Sequence, residues 1–150
     1  MVIDEAAIRL ALAEVADPEI PAVSVVDLGM VERVDLADGV IRVELLPTFV
    51  GCPAVDMIKT AVAARLEQFG RPVLVETTFR VPWTSDRISA AGRAKLRASG
   101  FAPPTEDSAV RCPYCGSSDV ALDNLFGPTQ CRSLRYCRAC RQPFEQFKTV

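Results

Sequence analysis

Apolar positions repeat along the chain with two different periods. Ile8, Leu12 and Val15 fall at i, i+4 and i+7, one face of a first helix, which Pro18 is expected to stop. From Val25 the period changes. Val34 and Leu36 alternate with polar neighbours, then Ile41, Val43 and Leu45 alternate with Arg42 and Glu44. Asp38-Gly39 between the two runs predicts a two-residue hairpin turn. Val55, Ile58, Val62, Leu66 and Phe69 then form a helical stripe that begins near Cys52-Pro53 and stops at Gly70. A Val- and Thr-rich strand is predicted from Val73 to about Val81 and is ended by Pro82-Trp83. Thr84 or Ser85 can cap a third, Arg-rich helix running to about Ser99, with Gly100 as its stop. Helix, hairpin, helix, strand, helix describes an α+β domain, a small sheet with helices packed on one face.

Charge divides the chain. Residues 1–109 carry 11 basic and 16 acidic groups, whereas residues 110–150 carry six basic and three acidic ones. Five of the six cysteines lie in the second segment. Two modules are therefore expected: residues 1–102, a linker over 103–109 containing Pro103-Pro104, and a cysteine-bearing unit over 110–150. No apolar run is long enough to span a membrane, and Asp4 and Glu5 near the start are unlike a basic secretory leader. A cytoplasmic setting is expected, where thiols stay reduced and cysteine pairs favour metal.

The chain has no histidine. That excludes a Ser-His-Asp triad, a Cys-His dyad, His-ligated zinc and a two-His carboxylate iron centre built from this chain. Acid–base work would fall to carboxylates, lysines, thiols or a partner. The chain is not expected to be an enzyme by itself.

Cys112-Pro-Tyr-Cys115 and Cys137-Arg-Ala-Cys140 are two C-x-x-C pairs, each able to supply two thiolates from one tight turn. The spacing predicts a four-cysteine zinc ribbon, with a hairpin loop bearing Phe126-Gly127 taking up the long gap. Spacing alone leaves iron in such a site open. A segment of this size cannot build its own core, so metal binding would supply its folding energy. Cys131 is a fifth thiol without a C-x-x-C partner. It is either a half-buried small apolar residue or an accessible thiol made electropositive by Arg132, Arg135, Arg138 and Arg141. The same arginines suit either a solvated face, an acidic protein partner or nucleic acid. Phe144 and Phe147 read as ribbon core.

Cys52 stands between Gly51 and Pro53 at the start of the second helix. A helix N-terminus favours a thiolate there, and Gly51 would allow close backbone approach; a buried space-filling cysteine is the alternative. Asp17, Glu19 and Asp27 form the nearest carboxylate group in sequence, equally suited to capping loops.

The strings DPEIPAVSVVDLGMV (17–31), PTFVGCPA (47–54) and VPWTSDRIS (81–89) resemble the iron–sulfur cluster assembly-factor family, long labelled a domain of unknown function. GRAKLRASGFAPP, CPYCGS and CRSLRYCRACRQPFEQFK narrow the resemblance to a branch of that family associated with phenylacetate degradation. It implies a compact assembly-factor domain followed by a zinc-ribbon-like module. It also implies that Cys52 handles iron or iron–sulfur centres, with Asp17, Glu19, Asp27, Thr48 and Trp83 on other signature positions and Cys131 matching the branch's extra cysteine. The function implied is that of an accessory or maturation factor of the multicomponent di-iron oxygenase that epoxidises the ring of phenylacetyl-CoA. Its partners would be proteins of that oxygenase system and iron–sulfur assembly machinery, with no membrane, and with self-association open. Its cofactors would be structural zinc and, transiently, iron or a cluster. The alternatives are a structural or catalytic subunit of the oxygenase and a zinc-ribbon nucleic-acid binder.

Overall fold

The computed structural model describes residues 2–48, 52–129 and 131–149. Helix α1 (Glu5–Leu12) begins at Asp4, whose carboxylate accepts the Ala7 N–H at 2.8 Å, and buries Ile8, Ala11 and Leu12. It ends well before Pro18. Ala16 pairs with Ser24 in an isolated bridge, and the Val25 N–H donates to Val15 O, so Val15 is buried in extended chain rather than on the helix.

Strands β1 (Val31–Ala37) and β2 (Val40–Leu45) form the expected hairpin. Its two turn residues, Asp38 and Gly39, have φ of 54° and 74°, the pair of positive values that a tight type I′ turn needs. Leu36 departs from the alternation: it lies on the outer strand near the turn and is exposed. Helix α2 (Ala54–Leu66) crosses back to β3 (Val73–Thr77), which pairs parallel to β2. The buried face of α2 is Ala54, Ile58, Val62 and Leu66, while Val55 is only half-buried. Gly70, at φ 64°, closes the turn after Phe69. The third strand stops at Thr77 rather than near Val81, level with the end of its partner β2: Thr77 pairs with Leu45, the last residue of β2.

Thr84 and Ser85 open only a single 3-10 turn, Ser85–Arg87. The third helix, α3 (Ala90–Ala98), is capped instead by Ser89, whose hydroxyl accepts the Gly92 N–H at 2.9 Å. Beyond Gly100, strand β4 (Phe101–Ala102) runs parallel to β7 (Pro143–Phe147). With β5 (Val120–Asn124) and β6 (Arg132–Cys137) these make a second sheet in the order β4-β7-β6-β5. The β5–β6 loop carries Phe126-Gly127, as the cysteine spacing required.

Two apolar clusters result. The larger is formed by the first sheet and its helices; the smaller joins Ala102, Val110, Cys112, Cys137 and Phe144. Phe144 is ribbon core as expected. Phe147 is not: it lies in the larger cluster with its ring centroid 5.9 Å from that of Trp83. Among the described residues, no helix is long and apolar enough to cross a membrane.

The loop over residues 17–30 is fixed from several sides. Trp83 Nε1 donates to Leu28 O at 2.7 Å, and Arg87 Nε donates to Gly29 O at 2.7 Å. A Cβ at Gly29, where φ is 68°, would stand 2.3 Å from Arg87 O, so this approach requires glycine. Asp27 and Ser24 cap each other: the Ser24 N–H donates to Asp27 Oδ2 and the Asp27 N–H to Ser24 Oγ, at 2.9 and 3.0 Å. Lys95 Nζ donates to the same Asp27 oxygen at 2.8 Å.

This packing makes the fold testable at two residues. Phe147→Ala removes a buried ring that bridges ribbon and domain and is expected to cost about 3–5 kcal/mol, read from urea unfolding. Burial pushes the Asp27 carboxyl up, but its bonds to Lys95 and Ser24 outweigh this and hold it below the usual value. Such a group contributes stability above the ordinary carboxylate pKa of about 4 that is lost as pH falls through the lowered one. Asp27→Asn should therefore flatten the acid limb of the stability curve, measured as urea midpoints between about pH 5 and 2.

Candidate functional site

The ribbon brings four thiols together. Cys112 and Cys115 come from the turn before β5, Cys137 ends β6, and Cys140 lies in the turn leading to β7. Their sulfurs all lie within 4.8 Å of one another, with Cys112 Sγ 3.7 Å from Cys140 Sγ and Cys115 Sγ 3.6 Å from Cys137 Sγ. A tetrahedral ion with metal–sulfur bonds of about 2.3 Å separates its sulfurs by about 3.8 Å, so the four thiols and these two spacings suit zinc. The Tyr114 N–H donates to Cys112 Sγ at 3.4 Å. Hydrogen bonding from the Cys140 backbone N–H brings the Cys137 thiol down to about 7, while burial beside the other sulfurs pushes Cys140 up to about 12.

A second constellation lies where the ribbon meets the first domain. A cleft of about 390 Å³ has Glu19, Cys52 and Pro53 on the domain side and the β5–β6 loop, with Phe126, Thr129 and Cys131, on the ribbon side. Beneath it a cavity of about 20 Å³ is bounded by Asp17, Thr48, Cys52, Cys131 and Phe147, among others. The fold therefore gathers Asp17, Glu19, Thr48, Cys52 and Cys131 from well-separated stretches of the chain. Cys52 stands just before α2, half-buried, its carbonyl accepting the Val55 N–H at 3.2 Å. Phe49, Val50 and Gly51 lie outside the described residues, so the expected close approach at Gly51 does too.

Each carboxylate has a distinct place. Asp17 Oδ1 accepts the Glu19 and Ile20 N–H groups, both at 2.9 Å, which sets the loop. Burial raises its pKa despite those bonds. Glu19 Oε2 lies 3.8 Å from Cys131 Sγ and 3.8 Å from Arg132 Nη2. Asp27 does not join them, being held by Ser24 and Lys95 outside the cleft lining. Trp83 is likewise not part of that lining; buried behind it, it supports Phe147 and Leu28.

Cys131 is buried rather than accessible, and its surroundings are not electropositive. Its sulfur lies 3.0 Å from Thr129 Oγ1. Burial pushes its thiol up; the Thr129 hydroxyl and Arg132 oppose this, while Glu19 and Asp17 reinforce it. Three of the ribbon arginines have partners of their own. Arg132 Nη1 bonds Glu145 at 2.8 Å and its guanidinium lies over the Phe101 ring; Arg135 Nε bonds Gln146 at 2.6 Å; Arg138 pairs with Asp119 at 3.0 Å. Thr129 carries no motif of its own in the sequence, and Phe126 reads there only as part of a loop; proximity to Cys131 in the chain is the one signal that points to them.

Comparisons with known proteins agree with this two-part build. Residues 5–76 match the model of the iron–sulfur cluster assembly protein family, and residues 97–148 match that of the PaaD zinc β-ribbon domain. A protein of Escherichia coli (strain K12) named as a component of a 1,2-phenylacetyl-CoA epoxidase is 36% identical over 148 residues, covering 93% of this chain and 89% of its own length. An Fe-S protein maturation auxiliary factor of Porphyromonas gingivalis is 38% identical over 88 residues, covering 57% of this chain and 83% of its own. Among solved structures, a domain of unknown function from Bacillus anthracis superposes with a TM-score of 0.57 at 26% identity, covering 61% of this chain and 90% of that one. A conserved hypothetical protein of Thermotoga maritima gives 0.54 at 30% identity, covering 63% and 94%. Over nearly its whole length, then, the chain belongs to the PaaD family, in which an iron–sulfur cluster assembly domain is followed by a zinc β-ribbon.

Proposed function

We propose that this protein is an accessory factor that delivers iron, as ions or as an iron–sulfur unit, to a multicomponent oxygenase that epoxidises the ring of phenylacetyl-CoA. The observation that carries the reading is the cleft in which Cys52 and Cys131 face one space from two different modules. A site that must release its cargo needs a thiol reached from solvent, whereas a closed four-sulfur site retains its metal. In this reading the half-buried Cys52 serves the first need and the ribbon cysteines the second. The likeness to an epoxidase component and to a maturation auxiliary factor supports the choice of client and of cargo.

In this reading Cys112, Cys115, Cys137 and Cys140 hold zinc, which supplies structural cross-linking and no chemistry of its own. The ribbon's task is to hold the β5–β6 loop and Cys131 against the first domain. Cys52 is the thiol that takes the cargo: it is half-buried and lines the cleft that Cys131 also lines. The protein is not an enzyme by itself in this account, since a di-iron oxygenase centre needs histidines along with inward carboxylates and the chain contains no histidine. Its partners are the oxygenase proteins, in a cytoplasmic setting, and its action precedes turnover.

Two measurements test this. In a strain lacking the protein, the oxygenase is expected to be iron-poor, and wild-type protein but not Cys52→Ser should restore its iron content. Full restoration by Cys52→Ser would defeat the reading. Chelation of zinc from the purified protein should unfold the ribbon, seen as a loss of β-sheet circular dichroism that returns when zinc is added back.

A further inference from the structure

The donors around the cleft are too few and too mixed for a cluster. Iron–sulfur clusters are ordinarily held by four cysteines. Two of the chain's six thiols line this cleft, and the other four converge in the ribbon. The next donor along the wall is a carboxylate oxygen, Glu19 Oε2, 3.8 Å from Cys131 Sγ. Two sulfurs and one oxygen form an intermediate set, harder than four thiolates and softer than an all-carboxylate site, which suits ferrous iron.

Two of the three donors are already adjacent. Cys131 is fixed through its backbone, whose carbonyl accepts the Lys148 N–H at 2.8 Å, and through Thr129 at its sulfur. Glu19 is steadied from behind by Arg132, itself paired with Glu145. Cys52 lines the same cleft from just before the head of α2. Among the described residues its sulfur is not drawn together with Cys131 and Glu19 as the ribbon cysteines are with one another.

Resting on the reading above, we propose that Cys52, Cys131 and Glu19 together take a single ferrous ion as the cargo, not a preformed iron–sulfur cluster. Cys131 and Glu19 form a standing half-site that Cys52 completes by turning inward. Both thiols release their protons to solvent as the two Fe–S bonds form, and iron stays ferrous throughout. Three protein donors leave the remaining positions of the ion to water, so a ligand from the client can enter before the protein's own ligands leave.

The test uses the full chain, loaded with one equivalent of zinc and titrated anaerobically with ferrous iron, with and without sulfide. Bound iron is counted and its neighbours are read by iron-edge X-ray absorption. The expected result is one iron per chain without sulfide, in a shell containing both sulfur and oxygen. Glu19→Gln and Cys131→Ser should each weaken binding by about tenfold or more, and Cys52→Ser should abolish it. Glu19→Gln preserves side-chain shape, so it carries the test even where Cys131→Ser loosens the ribbon. Binding that requires sulfide and shows iron–iron scattering would overturn the inference while leaving the accessory function intact. Unchanged affinity in both Glu19→Gln and Cys131→Ser would overturn the donor set. No iron in either arm would take the proposed function down as well.

Discussion

Strand β7 belongs to two cores at once. Phe144 is buried in the small cluster beside Cys112 and Cys137, and three residues later Phe147 is buried in the large one against Trp83. A ribbon of this size has too little apolar area to stand alone. The insertion of Phe147 therefore does more than add burial: it fixes the ribbon's position relative to the first domain. Parallel pairing of β4 with β7 ties the same strand to the end of α3. The make-up of the cleft depends on that attachment, because Cys131 and Thr129 enter from the ribbon while Glu19 and Cys52 belong to the domain.

Electrostatics reinforce the seam at one residue. Arg132 is almost fully buried and reaches Glu145 within the ribbon, Glu19 across the boundary and the face of Phe101. A buried guanidinium without such partners would be costly, and with them it limits where Glu19 can go. The six thiols consequently experience two settings. Four stand in a cluster already shaped for a tetrahedral ion, where hydrogen bonding favours the thiolate of Cys137. Two face a cleft bordered by carboxylates, where burial and negative charge favour the protonated form of Cys131 until something displaces the proton.

Local patterns are legible where local physics decides. The Ile58, Val62 and Leu66 stripe of α2, the Asp38-Gly39 turn and the paired C-x-x-C turns appear as read. The boundaries that differ are those set by distant residues: α1 stops short of the stretch where Ala16 pairs with Ser24, and β3 stops where its partner β2 does. Thr84 and Ser85 have the chemistry of a cap, but the Ser85–Arg87 turn comes first and α3 starts from Ser89. The same limit governs the site. Asp17, Glu19 and Asp27 look like one cluster in sequence, yet Lys95, 68 positions away, claims Asp27 for another face. Cys131 can be matched as a motif position, but its packing by Glu19 depends on Phe147, whose place in the pattern gives no sign of which core it enters.

The division of the cleft between chain segments also sets an order of events during synthesis. The domain's own sheet is complete once Thr77 has emerged, and Cys52 precedes it in the chain. Cys131 and its anchoring strand take their places only after Phe147 leaves the ribosome and the ribbon folds. A nascent chain thus presents Cys52 before the ribbon wall of the cleft exists, so the cleft is complete only when translation of the ribbon is finished.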